Sequence, residues 1–177
     1  GSFDQVICDA LIRELDVEIS LSPGFRWGTS VLPGEMITMD RLLDQTSITY
    51  PETYVRLMKG GELQSILESV ADNLFNPDPY FQQGGDMVRT GGVRYACEPN
   101  GKFGNRITEL RTRDGDMIDA NKDYKVAGWA TVGSQSSGVA VWEPVAEYLR
   151  DKQVVHLDHI DAPKLVGVGG NIGLADY

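Results

Sequence analysis

In "ELQSILESVADNL" the apolar residues Leu63, Ile66, Leu67, Val70, Ala71 and Leu74 fall at i, i+3, i+4, i+7, i+8 and i+11. That spacing draws one apolar stripe along a helix of about 14 residues, a surface that needs a second layer to cover it. The same period recurs near the start, where Val6, Ile7, Ala10, Leu11 and Leu15 predict an amphipathic helix over residues 3–15. "DVEISLS" then changes period. Val17, Ile19 and Leu21 alternate with Asp16, Glu18 and Ser20, the pattern of a half-buried strand. Pro23-Gly24 cannot continue a ladder, so the strand hands the chain to a loop at its C-terminal end.

Further along, Thr38 or Asp40 can cap a short helix through "RLLDQ", and "ETYVRLMKGGEL" predicts a strand followed by a turn at Gly60-Gly61. The striped helix should end near "NPDP". Beyond it, "VRTGGVRYACEP", "RITELRTR" closed by an Asp114-Gly115 turn, and "YKVAGWATV" predict an antiparallel meander. A last helix, "PVAEYLRDK", precedes a tail from about residue 154. Helices and strands mix without strict βαβ alternation, which points to an α+β fold with a mixed or antiparallel sheet and packed helices.

The chain has 177 residues, of which 41% are hydrophobic, enough for one domain with a core of its own. Gly1-Ser2 reads as an expression scar, residues 3–153 as the domain and 154–177 as a C-terminal tail, so an upstream segment is expected. No run of 18 apolar residues offers a membrane span. A net charge of -10 repels a phosphate backbone, which argues against nucleic acid as a partner. Cys8 and Cys97 are too few to define a disulfide framework, and buried unpaired thiols are the commoner outcome.

Two stretches carry candidate chemistry. In "SPGFRWG", Arg26 lies between Phe25 and Trp27 with Gly24 and Gly28 outside them, so a planar guanidinium could meet a phosphate, sulfate or sulfonate on an accessible backbone. The competing reading is a surface arginine paired with an acidic residue or stacked on Trp27. In "PYFQQGGDMVRTGG", aromatics, amides, paired glycines, an aspartate and Arg89 crowd into residues 79–92, either as a ligand loop or as a long turn that bonds its own backbone. His156 and His159 with Asp158 and Asp161 suggest a metal only weakly, lacking a third nitrogen ligand. "GVGGNIG" is followed by too little chain to form a dinucleotide site. There is no Gly-x-Ser-x-Gly, Walker loop, His-Glu-x-x-His or Cys-x-x-Cys. Residues that can hold an anion but not attack it suit the substrate-side half of a two-domain enzyme.

"ICDALIRELDVEISLSPGFRWGTSVLPGEMITMDRLLD" resembles the opening of the C-terminal domain of the 5′-nucleotidase family, with Arg26 at the arginine of that family's Asn-x-Gly-Gly-x-Arg-like loop. The resemblance continues through "VRLMKGGELQSILESV", "MVRTGGVRYACEP" and "YKVAGWATV", and so spans nearly all of residues 3–150. By register, Tyr50 or Pro51 falls near the first base-stacking aromatic of the nucleotidases and Trp129 near the second. The chain departs from them at Ser22 and Pro23, which replace the loop's asparagine and first glycine, and at "GSQSSG", residues 133–138, which replaces "GGDG". "SPGFRWG", "QQGGDMVR" and "APKLVGVGGNIG" look instead like the thiosulfohydrolase branch of the Sox sulfur-oxidation system.

That resemblance implies a periplasmic hydrolase that frees sulfate from a cysteine S-thiosulfonate. Its substrate would be carried on the C-terminal arm of a sulfur-carrier protein, SoxY of the SoxYZ complex. Two manganese ions would sit in an N-terminal metallophosphatase domain, itself a partner of this one. The tail after residue 154 would pack on that domain, since its "KLVGV" has no obvious partner within residues 3–150. Arg26 would anchor the sulfonate, and Trp27, Tyr50, Tyr80, Gln82, Gln83, Gly84, Gly85, Asp86, Arg89 and Trp129 would complete the substrate wall. The alternatives are a periplasmic 5′-nucleotidase or phosphoesterase, in which Tyr50 and Trp129 sandwich a base, and a non-catalytic docking module.

Overall fold

The computed structural model describes residues 1–24, 30–131 and 136–169. In chain order the elements are α1 (Ser2–Glu14), β1 (Ile19–Ser22), α2 (Met39–Thr46), β2 (Thr53–Lys59), α3 (Gly60–Phe75), β3 (Arg89–Gly91), β4 (Val93–Cys97), β5 (Ile107–Thr112), β6 (Asp123–Trp129), α4 (Trp142–Lys152) and β7 (Lys164–Leu165). The fold is α+β, as the mixture of periods predicts. Four strands form one sheet in the order β2-β6-β1-β3, and three form a second in the order β5-β4-β7.

Alternation along β6 separates two cores. Tyr124 and Val126 point into a cluster with Leu63, Leu67 and Ala71 of α3, joined by Val93, Tyr95 and Ile107 of the second sheet. Ala127 and Trp129 belong to the other, a cluster with Ile7, Ala10 and Leu11 of α1 and Val141, Val145 and Tyr148 of α4. The first sheet is therefore covered on both faces. For that reason β1 is buried along its whole length, Ser20 and Ser22 included, where period-two alternation predicted a half-buried strand. Ser20 is satisfied inside by donating its hydroxyl to the Cys8 carbonyl at 3.0 Å.

Thr38 caps α2, its hydroxyl accepting from the Arg41 N–H at 3.4 Å. Gly60 and Gly61 are not a turn. They form the first turn of α3, which thereby runs to 16 residues. The reason is a close approach, since a Cβ on Gly60 would lie 2.3 Å from the Asp119 carbonyl. Nor do the later strands form one meander. β3 pairs antiparallel with β1, β4 pairs with β5, and β6 returns to the first sheet parallel to β1. Gly92 makes the break between β3 and β4: its φ of +81° is a left-handed conformation, and a Cβ there would meet the Glu18 carbonyl at 2.2 Å.

The described part of the tail lies against this same domain. Val155 and Leu157 pack on the α1/α4 core. Lys164 and Leu165 pair parallel with Ala96 and Cys97, so "KLV" does have a partner within residues 3–150, contrary to the expectation above. Between them Asp161, its side chain fully enclosed, accepts from the Gly92 N–H and from Arg113 Nη2, both at 3.0 Å. Its own N–H donates to Gln5 Oε1 at 2.7 Å. Cys8 and Cys97 are both buried, and no disulfide joins them.

Candidate functional site

The pairing registers place four strand ends together. Leu21 lies opposite Gly128 in the parallel pair, Thr53 opposite Trp129, and Ser22 opposite Arg89. Hence β1 and β6 end, and β2 and β3 begin, at one end of the first sheet. A cleft of about 510 Å³ opens there, lined by Leu21 to Gly24, Tyr54, Arg56, Ile66, Val70, Gly85, Asp86, Val88 and Trp129 to Thr131. Its floor is apolar because Ile66 and Val70, one turn apart on α3, line it together with Leu21 and Val88. Its polar side chains come from the end of β1 (Ser22), from β2 (Tyr54 and Arg56), from the segment before β3 (Asp86) and from just beyond β6 (Thr131).

Trp129 is 4% exposed, and its indole Nε1–H donates to Ser22 Oγ at 2.9 Å. This bond ties the ends of β1 and β6 side by side. Tyr54, on β2, has the Arg56 guanidinium over its ring at 5.7 Å. Burial raises the Tyr54 phenol above its ordinary pKa, with Arg56 and a hydrogen bond to Thr131 acting in the opposite direction. Arg56 Nη2 in turn meets Glu62 Oε1 at 3.1 Å, with both side chains about half exposed. The cleft wall thus presents one described cation, Arg56, and one described carboxylate, Asp86.

Of the residues that the sequence singled out, Gly85, Asp86 and Trp129 line this cleft. Arg26 and Trp27 lie outside the described residues, and so do Gly133, Ser134 and Gln135 of "GSQSSG". The others are dispersed. Tyr50 is 41% exposed and does not line the cleft, and Tyr80 is 95% exposed on a 3₁₀ turn, Pro79–Phe81. Gln82 faces a second depression beside Asp72, Phe103 and Arg106, where its Nε2 donates to the Asn76 carbonyl at 2.6 Å. Gln83 is exposed, and the Gly84 N–H donates to the Asn73 carbonyl at 3.1 Å. Arg89 points to the α1 side of the sheet, away from the cleft, with its Nε 3.5 Å from Asp4 Oδ2. A single channel through Tyr50, Tyr80, Gln82, Gln83, Asp86 and Trp129 is therefore not what the described residues form.

The sequence reading missed Tyr54, Arg56, Ile66 and Val70. Ile66 and Val70 belong to the apolar stripe, and nothing in helical spacing distinguishes a cleft floor from a core. The histidine pair also separates: His156 is largely exposed, while His159 Nε2 lies 3.9 Å from Asp161 Oδ1, on a carboxylate already engaged by Arg113 and Gly92. Among the described residues, no three His, Cys, Asp or Glu side chains are placed to hold one metal ion. No described helix is long and apolar enough to cross a membrane.

A family model described as the 5′-nucleotidase C-terminal domain matches residues 1–143. Among solved structures, the Thermus thermophilus sulfate thiohydrolase SoxB, in complex with glycerol, is similar at a TM-score of 0.84 and 35% identity, over 94% of this chain and 32% of that one. A 5′-nucleotidase precursor, also from Thermus thermophilus, is similar at 0.70 and 18% identity, over 93% of this chain and 35% of that one. The Haemophilus influenzae NAD nucleotidase NadN gives 0.53 and 16%, over 85% and 25%. The chain thus spans about a third or less of the length of each. No curated protein matches it.

Proposed function

This chain belongs to the 5′-nucleotidase C-terminal domain family, and from that premise we propose that it is the substrate-side domain of a periplasmic thiosulfohydrolase acting on a carrier-bound cysteine S-thiosulfonate. The observation that carries the reading is convergence. "SPG", Gly85, Asp86 and Val88, and "WAT", far apart in sequence, meet in the cleft at one sheet end. Arg26 stands two positions after Gly24, which lines that cleft. The 35% identity to a sulfate thiohydrolase, against 18% to a nucleotidase, supports the sulfur substrate over a nucleotide.

In the proposed reaction a water oxygen bonds to the sulfonate sulfur. The sulfur–sulfur bond to that atom breaks, its electron pair leaves on the carrier's cysteine persulfide, and sulfate departs with two protons released. Negative charge grows on the sulfonate oxygens as this happens. A guanidinium fork at Arg26 would pair two of those oxygens and stabilise the charge without attacking. Gly24 and Gly85 keep the wall low for a thin peptide arm. The described residues supply no donor set for the two manganese ions that the resemblance implies. Those ions are assigned in this reading to an upstream metallophosphatase domain.

The test is a parallel assay of the full-length protein, with sulfate release from thiosulfonated SoxYZ measured beside phosphate release from AMP. Sulfate release as the faster reaction supports the proposal. Faster phosphate release from AMP would overturn the substrate in favour of a nucleotidase.

A further inference from the structure

Arg89 lies directly opposite Ser22 in the β1/β3 pair, on the face covered by α1, whereas the cleft opens on the α3 face. Gly24 is the shared point. It lines the cleft on one side, and on the other it lies against the Arg89 guanidinium, whose Cζ would be 2.7 Å from a Cβ at position 24. The rest of that guanidinium is anchored: Nη1 donates to the Met87 carbonyl at 2.8 Å, and Nε faces Asp4 Oδ2 at 3.5 Å. Asp4 sits in the first turn of α1 and is itself largely buried. One side chain therefore touches the Pro23-Gly24 segment, the segment leading into β3 and the start of α1.

We propose that Arg89 is a positioning residue, which sets from behind the Pro23-Gly24 segment that leads into Arg26 and does not contact substrate. The absence of a side chain at Gly24 lets the planar guanidinium approach that segment closely. Lysine could keep the charge opposite Asp4 but not the fork that reaches Met87 and Gly24 together. A small displacement of that segment would shift whatever Arg26 holds, and misplacements of about 1 Å remote from the chemistry can cost on the order of 100-fold in rate.

The inference rests on the cleft being the substrate site, and the two ideas can fail separately. In the full-length enzyme, Arg89→Ala, Gly24→Ala and the double variant are compared for kcat, KM and Tm, on whichever of the thiosulfonate or AMP the parent hydrolyses. Each single variant is expected to lower kcat about tenfold with KM nearly unchanged. The double variant should lose little more, because Arg89→Ala deletes and Gly24→Ala displaces the two sides of one contact. Arg89→Lys should recover part of kcat. A raised KM with intact kcat would mean that Arg89 binds substrate, and a lowered Tm with intact kcat and KM would mean a purely structural role. Either result overturns the proposal. Hydrolysis of AMP but not the thiosulfonate refutes the substrate class and leaves the Arg89 comparison to be read on AMP. A parent active on neither substrate refutes both.

Discussion

The indole Nε1–H of Trp129 donates to the hydroxyl of Ser22 at 2.9 Å, across 107 residues of sequence, and both residues are buried where the chain enters the cleft. The bond joins the C-terminal ends of the two parallel strands from which the cleft is built. Ser22→Ala and Trp129→Phe should each destabilise the fold by about 1 kcal/mol through loss of this bond. In a urea-denaturation double-mutant cycle the two losses should not add. Additive losses would show that the pair does not act as a unit.

Glu68 is 4% exposed in the middle of α3, and its carboxylate accepts from the Ile107 N–H at 2.7 Å and the Gly104 N–H at 3.0 Å. It fastens the β4–β5 connection onto α3. Glu68→Ala leaves the buried Ile107 amide without its acceptor and should cost about 2–3 kcal/mol in urea denaturation. An effect close to zero would mean that this connection carries no tertiary stability.

Gly60 reverses an ordinary expectation. Alanine is favoured over glycine inside a helix by about 1 kcal/mol, yet a Cβ at position 60 would lie 2.3 Å from the Asp119 carbonyl. Gly60→Ala should therefore lower stability, by about 1–3 kcal/mol from overpacking against backbone. A gain in Tm would contradict the close approach.

The first sheet's flanking layers were legible in the sequence, and the site only partly so. The α3 stripe predicted Leu63, Leu67 and Ala71 as core residues, and all three are buried. The loss of ladder at Pro23 correctly placed the end of β1. The parallel β1/β6 pairing was not legible, because strand partnership across about 100 residues leaves no local period. The same holds for Ser22, which reads in sequence as a departure from a family loop and only in three dimensions as the acceptor for Trp129. The paired glycines at 60–61 carried turn chemistry, but the Asp119 carbonyl above them explains their presence within a helix.

Asp72 gives stability a direction with pH. The Asn76 amide donates to its Oδ2 at 2.9 Å and Arg106 Nη1 to its Oδ1 at 2.6 Å, and these bonds, the Asn76 one first, hold its pKa below the ordinary carboxylate value. A carboxylate lowered on folding contributes stability that is fully present above its unfolded pKa and is lost as pH falls through the folded one. Urea midpoints should therefore decline on acidification, and the decline should be shallower in Asp72→Asn. An identical acid limb in the variant would show that Asp72 contributes nothing to it.

Arg26 bears the central claim, since the proposal assigns it the sulfonate. The most direct measurement is kcat for sulfate release by the full-length, manganese-loaded protein with Arg26 and with Arg26→Ala, beside the Kd of each for thiosulfonated SoxYZ. Loss of one donor to a developing oxyanion typically lowers kcat by about 100-fold or more. A loss of that size is expected, with carrier affinity nearly unchanged. Weakened association with kcat intact at saturating carrier would contradict it and make the domain a docking module.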